Sequence, residues 1–175
     1  MVNISGIIKS IRNLMRGDKG INGDAQRIEQ LGWMIFLKIF DDKDIEMELL
    51  EDKYKSPIPK KLQWRNWAAD DEGITGDELL NFIDNKLFQT LKNLSPGTAN
   101  RRAVVVREIF EGNNNYMKSG TIIRQVINKL NEINFNHGKF ILFSDGKILS
   151  IRIPLLCKVT IHQLSDKVKM KRFCF

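Results

Sequence analysis

The chain has 175 residues, of which 42% are hydrophobic and 28% charged; that is long enough for one ordinary domain with a real core and too apolar for a disordered segment. No run approaches the roughly 18 apolar residues that span a bilayer, and the opening MVNISGIIKSIRNLMRG has neither an apolar h-region nor a small-residue cleavage site, so no membrane partner and a cytoplasmic location are expected. The net charge of +7 is a weak argument for nucleic acid, because residues 1–135 carry 20 Lys and Arg against 19 Asp and Glu, and residues 136–175 carry 8 against 2.

In chain order, Ile4, Ile7, Ile8, Ile11, Leu14 and Met15 recur at helical spacing and predict a first helix ending near Gly17. The loop GDKGING follows and reads as a flexible connector. Asp24 is the expected N-cap of a second helix reaching about Tyr54, roughly 45 Å in length. Its segment Leu31–Asp44, LGWMIFLKIFDDKD, is apolar on several faces, with Trp33, Phe36 and Phe40 expected as packing residues. An acidic block from Asp41 to Asp52 comes next and is expected as a solvated or partner-facing extension.

Pro57 and Pro59 end this helix, and a polar connection bearing Trp64 and Trp67 is expected to lie over the core. Leu79, Leu80, Ile83, Leu87, Phe88 and Leu91 predict a third strong helix over 76–94. Residues 101–110 predict a short helix or turn, since Val104, Val105 and Val106 also suit a strand. Residues 118–131 predict the last helix, capped by Ser119. The sequence FILFSDGKILSIRI then reads as two β runs around Asp145-Gly146, a hairpin signal. The expected fold is mainly α, a helical bundle-like domain over 1–136, with a basic segment over 137–175 able to form a small hairpin.

Chemistry-bearing motifs are few. The glycine loop has no GxxxxGK[ST] and no strand before it, so it is not a phosphate loop. The acids of the second helix lack calcium-loop spacing. His137, Cys157, His162 and Cys174 match no closed zinc site, and the absence of His and Cys before position 137 excludes Cys–His and Ser–His catalysis from the body. Lys60, Lys61 and Arg65, interleaved with Trp64 and Trp67, form one basic cluster; Arg101, Arg102 and Arg107 form another. These six are the candidate DNA or partner contacts, set against the plainer reading of a solvated rim. Lys167, Lys169, Lys171 and Arg172 read as a mobile tail.

The string MIFLKIFDDKD of the second helix resembles the N-terminal domain of the modification (M) subunit of type I restriction–modification systems. The stretch NNNYMKSGTIIRQVINKLNEINFN, Asn113 to Asn136, is similar to the closing part of that domain. The opening helix, the glycine-containing loop and the Trp-bearing connection fit as well, so the resemblance covers about residues 1–136. It implies a helical domain that helps close the assembly around the DNA duplex and contacts neighbouring subunits, with a specificity subunit and a second M subunit as partners. In the full-length family, adenine methylation with S-adenosylmethionine belongs to a following domain, whose Asn/Asp-Pro-Pro-aromatic motif receives the flipped base. This chain has no Pro-Pro pair, its prolines being Pro57, Pro59, Pro96 and Pro154, so no catalytic, cofactor or metal residue is expected here, and the chain alone is expected to be inactive. The resemblance stops where charge, Cys and His usage change, and residues 137–175 are expected to be a substituted or out-of-frame ending of a truncated M subunit or, alternatively, a genuine small β addition. The alternative is a free-standing helical protein-interaction or DNA-binding module.

Overall fold

The computed structural model describes residues 4–95 and 101–135, together with the backbone of four strands within 140–174. It divides into two compact units, Met1–Ile133 and Asn134–Phe175.

In the first unit, α1 (Ile4–Arg16) buries Ile7, Ile11 and Met15, the apolar stripe read from its spacing. It packs against α7 (Gly120–Asn131), which buries Ile123, Val126, Ile127 and Leu130. The first and last helices of the unit are therefore neighbours. As expected, Ser119 caps α7, its Oγ accepting from the Ile122 N–H at 3.3 Å.

The long helix α2 (Asp24–Leu50) has 27 residues and runs for about 40 Å, one turn short of the expected end. Gly23, not Asp24, sits at its N-cap, with φ 99. Asp24 instead lies in the first turn, where its carboxylate pairs with Arg27 and suits the positive end of the helix dipole. Trp33 is fully buried, as are Met34 and Leu37. The Trp33 ring meets Phe88 edge-on at 5.1 Å and Phe110 at 6.2 Å, and those two rings lie 5.0 Å apart. This aromatic triad is where α2 meets α5 (Phe88–Lys92) and α6 (Arg101–Glu111). Phe40 is buried and Phe36 half-buried beside it, rings 5.6 Å apart.

The expected helix over 76–94 is α4 (Gly76–Asn81) and α5 joined by a π turn, Phe82–Leu87. The sequence supplies the reason. Leu79, Ile83, Leu87 and Leu91 are all fully buried and spaced by four residues. Four residues overshoot one turn of an ideal helix by about 40°, so three such steps would carry Leu91 off the core face. A wider turn with i→i+5 bonding holds all four on one face.

Two loops are tighter than the sequence suggested. The Gly17–Gly23 segment is not a flexible connector. Asp18 is 3% exposed, and its carboxylate accepts from the N–H groups of Gly20 at 2.8 Å, Lys118 at 2.9 Å and Ser119 at 2.9 Å. A side chain at Gly20 would start 2.0 Å from the Tyr116 carbonyl oxygen, so only glycine allows this approach. The Trp-bearing connection does lie over the core. It contains a short 3-10 turn, Lys60–Leu62, and α3 (Trp64–Trp67), with both Trp side chains buried. Trp64 Nε1 donates to Asn131 Oδ1 at 2.9 Å. Arg124, buried in α7, donates to the carbonyls of Trp67, Ala68, Asp70 and Ile74 at 2.7–3.4 Å and so gathers the loop after α3.

In the second unit, β1 (Phe140–Ser144), β2 (Lys147–Arg152), β3 (Lys158–Ile161) and β4 (Phe173–Cys174) pair antiparallel in that order. β1 and β2 occupy the two runs read as a hairpin, in a register from Phe140 opposite Ile151 to Ser144 opposite Lys147. The readings of His137, Cys157, His162 and of the basic cluster 167–172 lie outside the described residues.

Candidate interaction surface

The acidic block of α2 decides where the two basic clusters go. Asp41 and Asp44 are three residues apart, so their side chains lie on one face about 4.5 Å apart along the axis. They are not solvated, as the sequence suggested: Asp41 is 2% exposed and Asp44 0%. A carboxylate that dry must be compensated, and each is held by an arginine from a distant part of the chain.

Arg65 comes to Asp41. Its backbone N–H donates to Asp41 Oδ2 at 2.8 Å, and its Nε lies 3.2 Å from Oδ1. The two terminal nitrogens of its guanidinium donate to both oxygens of Glu48 at 2.8 Å, a bidentate fork about two helical turns beyond Asp41. These bonds, those to Glu48 foremost, push the Arg65 pKa further above its ordinary value. Burial pushes the Asp41 carboxyl up, and the Arg65 contacts offset part of that rise.

Arg102 comes to Asp44. Its terminal nitrogen pairs with Asp44 Oδ1, and its guanidinium lies over the Phe40 ring at 4.3 Å. Asp44 also accepts from the hydroxyls of Tyr54, at 2.6 Å, and Ser56. Burial, and then the Asp44 bond, push the Tyr54 hydroxyl well above its usual pKa.

The two clusters that are far apart in sequence thus converge on one turn of α2. Within them the six candidates divide. Arg65 and Arg102 spend their charge on α2, and Arg107 is half-buried, 3.5 Å from Glu111. Lys60 and Lys61, on the 3-10 turn, and Arg101, at the start of α6, are exposed and form no ion pair with another described residue. Trp64 and Trp67 pack inward and offer no ring for base stacking. Among the described residues no group of His, Cys, Asp and Glu could hold a metal ion, and no helix is long and apolar enough to cross a membrane.

Sequence reasoning missed Asp18, Asp44 and Arg124, each a buried charge with a structural task. Only Arg124 carried a signal. It is flanked by Ile123, Val126 and Ile127 on the apolar side of a helix, where a solvated arginine would not sit.

The HsdM N-terminal domain family matches residues 4–130. The chain belongs to this family. An HsdM-type relative, the type I restriction enzyme EcoEI methylase subunit of Escherichia coli, is 55% identical over 136 residues, covering 77% of this chain and 28% of that protein. A solved modification subunit from Vibrio vulnificus YJ016, described as part of a type I restriction enzyme, superposes with a TM-score of 0.70 at 38% identity. That match covers 76% of this chain and 31% of the other. A second structure, from work on complex assembly and conformational transition of the type I R-M system, superposes with a TM-score of 0.67 at 28% identity, covering 76% of this chain and 26% of the other. The relatives are therefore about three to four times as long as the stretch matched here, and the matched part of this chain is the HsdM N-terminal domain.

Proposed function

We propose that residues 1–136 act as the assembly and DNA-clamping domain of a type I M subunit, in the cytoplasm, beside a specificity subunit and a second M subunit. In this reading Lys60, Lys61 and Arg101 meet DNA phosphates or an acidic partner face, and Arg65 and Arg102 hold them in place from behind. The observation that carries it is the convergence of both basic clusters on the Asp41–Asp44 turn, with these three cations left outward. Residues 137–175 form a separate basic segment, a division supported by the match over 136 residues and by the compact unit ending at Ile133. Methyl transfer with S-adenosylmethionine belongs to the part of the relatives that this chain does not match.

Fluorescence anisotropy on duplex DNA tests the clamp. Affinity should fall with salt at a slope of about −0.9 per phosphate neutralised. The triple variant Lys60→Glu, Lys61→Glu, Arg101→Glu should flatten that slope while circular dichroism stays unchanged. A slope that does not change in the triple variant overturns the assignment. Pull-down with a purified specificity subunit separates this reading from a free-standing module, and labelled methyl transfer by the chain alone should be absent.

A further inference from the structure

The Asp18 clasp gathers cations as well as backbone donors. Arg16 and Lys19 flank Asp18 in sequence, and Lys118 is bonded to it through its N–H at 2.9 Å. The Lys118 stem lies across the loop, its Cγ 2.7 Å from where a side chain at Gly20 would begin. Lys9 stands seven residues before Arg16 on α1, so the two share a helix face about 10 Å apart. All four cations are exposed, and none forms an ion pair with another described residue. The neighbouring carboxylates are engaged. Asp18 is buried under its three N–H donors, Asp24 pairs with Arg12 and Arg27, and the half-buried Glu29 accepts the Tyr116 hydroxyl.

We propose that Lys9, Arg16, Lys19 and Lys118 form a second phosphate-contact surface for duplex DNA. The four free charges have one sign, which suits a phosphate backbone. The exposed residues beside them are polar, Asn13 on α1 and Thr121 at the start of α7, and such side chains also bond phosphate oxygens. A protein partner would need apolar or aromatic side chains at the centre of its footprint. The large apolar side chains exposed among the described residues, Leu49 and Leu50, are at the far end of α2. The clasp also fixes the backbone on both sides of Lys19 and at Lys118, so little order is lost when a ligand arrives. This surface is separate from the Asp41–Asp44 turn. It lies beside the start of α2, where Arg12 of α1 reaches Asp24 at 3.6 Å, and Asp24 and Asp44 are about 30 Å apart along that helix. The choice of duplex DNA rests on the clamp reading; the grouping of the four cations does not.

The test is fluorescence anisotropy of the full 175-residue chain on a labelled duplex across a salt series. The quadruple variant Lys9→Gln, Arg16→Gln, Lys19→Gln, Lys118→Gln should bind roughly tenfold more weakly at low salt, with a slope flatter by about 2–4. Every backbone donor to Asp18 remains in it, so thermal unfolding should match the parent. If it does not, the triple variant that keeps Lys118 decides by the same readout, with a slope flatter by about 2. Residues 137–175 are common to all these chains, so their charge cancels in the comparison. Affinity and slope equal to the parent's overturn the proposal. So does a variant that keeps its DNA binding but no longer pulls down a purified specificity subunit, which would make this a protein interface. The Lys60→Glu, Lys61→Glu, Arg101→Glu variant, measured in parallel, separates the two surfaces. A flatter slope there alone leaves the clamp assignment standing and ends this one. A flatter slope in the quadruple variant alone does the reverse, and no change in either means that both fall.

Discussion

The two ends of the acidic block that begins on α2 carry the same sign of charge and meet opposite fates. Asp41 and Asp44 are buried, and arginines from two distant segments close over them. Glu51 and Asp52, just beyond the end of the helix, face water, next to Leu49 and Leu50 at 82% and 80% exposure. Charge type did not decide which half went inside. The inner acids share a helix face with Trp33, Leu37 and Phe40, which the core claims, so they are carried into it. The outer residues have no opposing element among the described residues, and even two leucines there stay wet. A buried ion pair of this kind adds little net stability, and breaking one side costs more than the pair is worth.

The largest effect should come from Arg102→Met. It leaves the Asp44 carboxylate buried with only Tyr54 and Ser56 as donors and should cost about 3 kcal/mol in urea unfolding. Adding Asp44→Asn should recover much of that loss, since the amide oxygen still accepts one of the two hydroxyls, the amide N–H can donate to the oxygen of the other, and no charge remains. A double variant as unstable as Arg102→Met alone would mean that stacking on Phe40, not charge, is what Arg102 provides.

Asp41→Asn should change the pH profile rather than the midpoint at one pH. Because the folded-state pKa is raised above the ordinary value of 3.8, the folded chain holds more protons than the unfolded one just above that value. Asp41 therefore makes stability fall as pH rises from 3.8 through its raised pKa. The Asn variant lacks that slope, so its stability relative to the parent should grow over this acidic window and then level off. Parallel profiles would show that Asp41 does not titrate as its burial implies.

The smallest effects belong to the outer half. Leu49→Lys with Leu50→Lys, or Glu51→Ala with Asp52→Ala, should stay within about 0.5 kcal/mol of the parent in thermal unfolding. A larger loss would mean that this end of α2 is covered after all.

The helices of the first unit were legible because their apolar residues recur at clear spacing, as in α1 and α7, and Ser119 announced its cap. The family was legible from MIFLKIFDDKD and the closing Asn113–Asn136 string. What the sequence hid were contacts between residues far apart in the chain. Nothing local marks Asp18 as the acceptor for Lys118 and Ser119, or Asp44 as the seat of Arg102. The π turn was half visible: the four-residue spacing of Leu79, Ile83, Leu87 and Leu91 is there to read, but by itself it also fits an ordinary helix. The candidate cations were found as a set, and only the neighbours supplied by the fold separate outward Lys60, Lys61 and Arg101 from inward Arg65 and Arg102.

The Asp18 clasp has a consequence for synthesis. Its backbone donors, Lys118 and Ser119, lie 100 and 101 residues further along the chain. Closing a loop of that size costs about 4 kcal/mol in chain entropy. At roughly 5–20 residues per second, about 5–20 s pass on the ribosome before the second half of the clasp exists. During that interval α1 has no α7 to cover its apolar stripe. A nascent chain halted before Ser119 should therefore be open to protease across α1, and one extended past Asn131 should be closed.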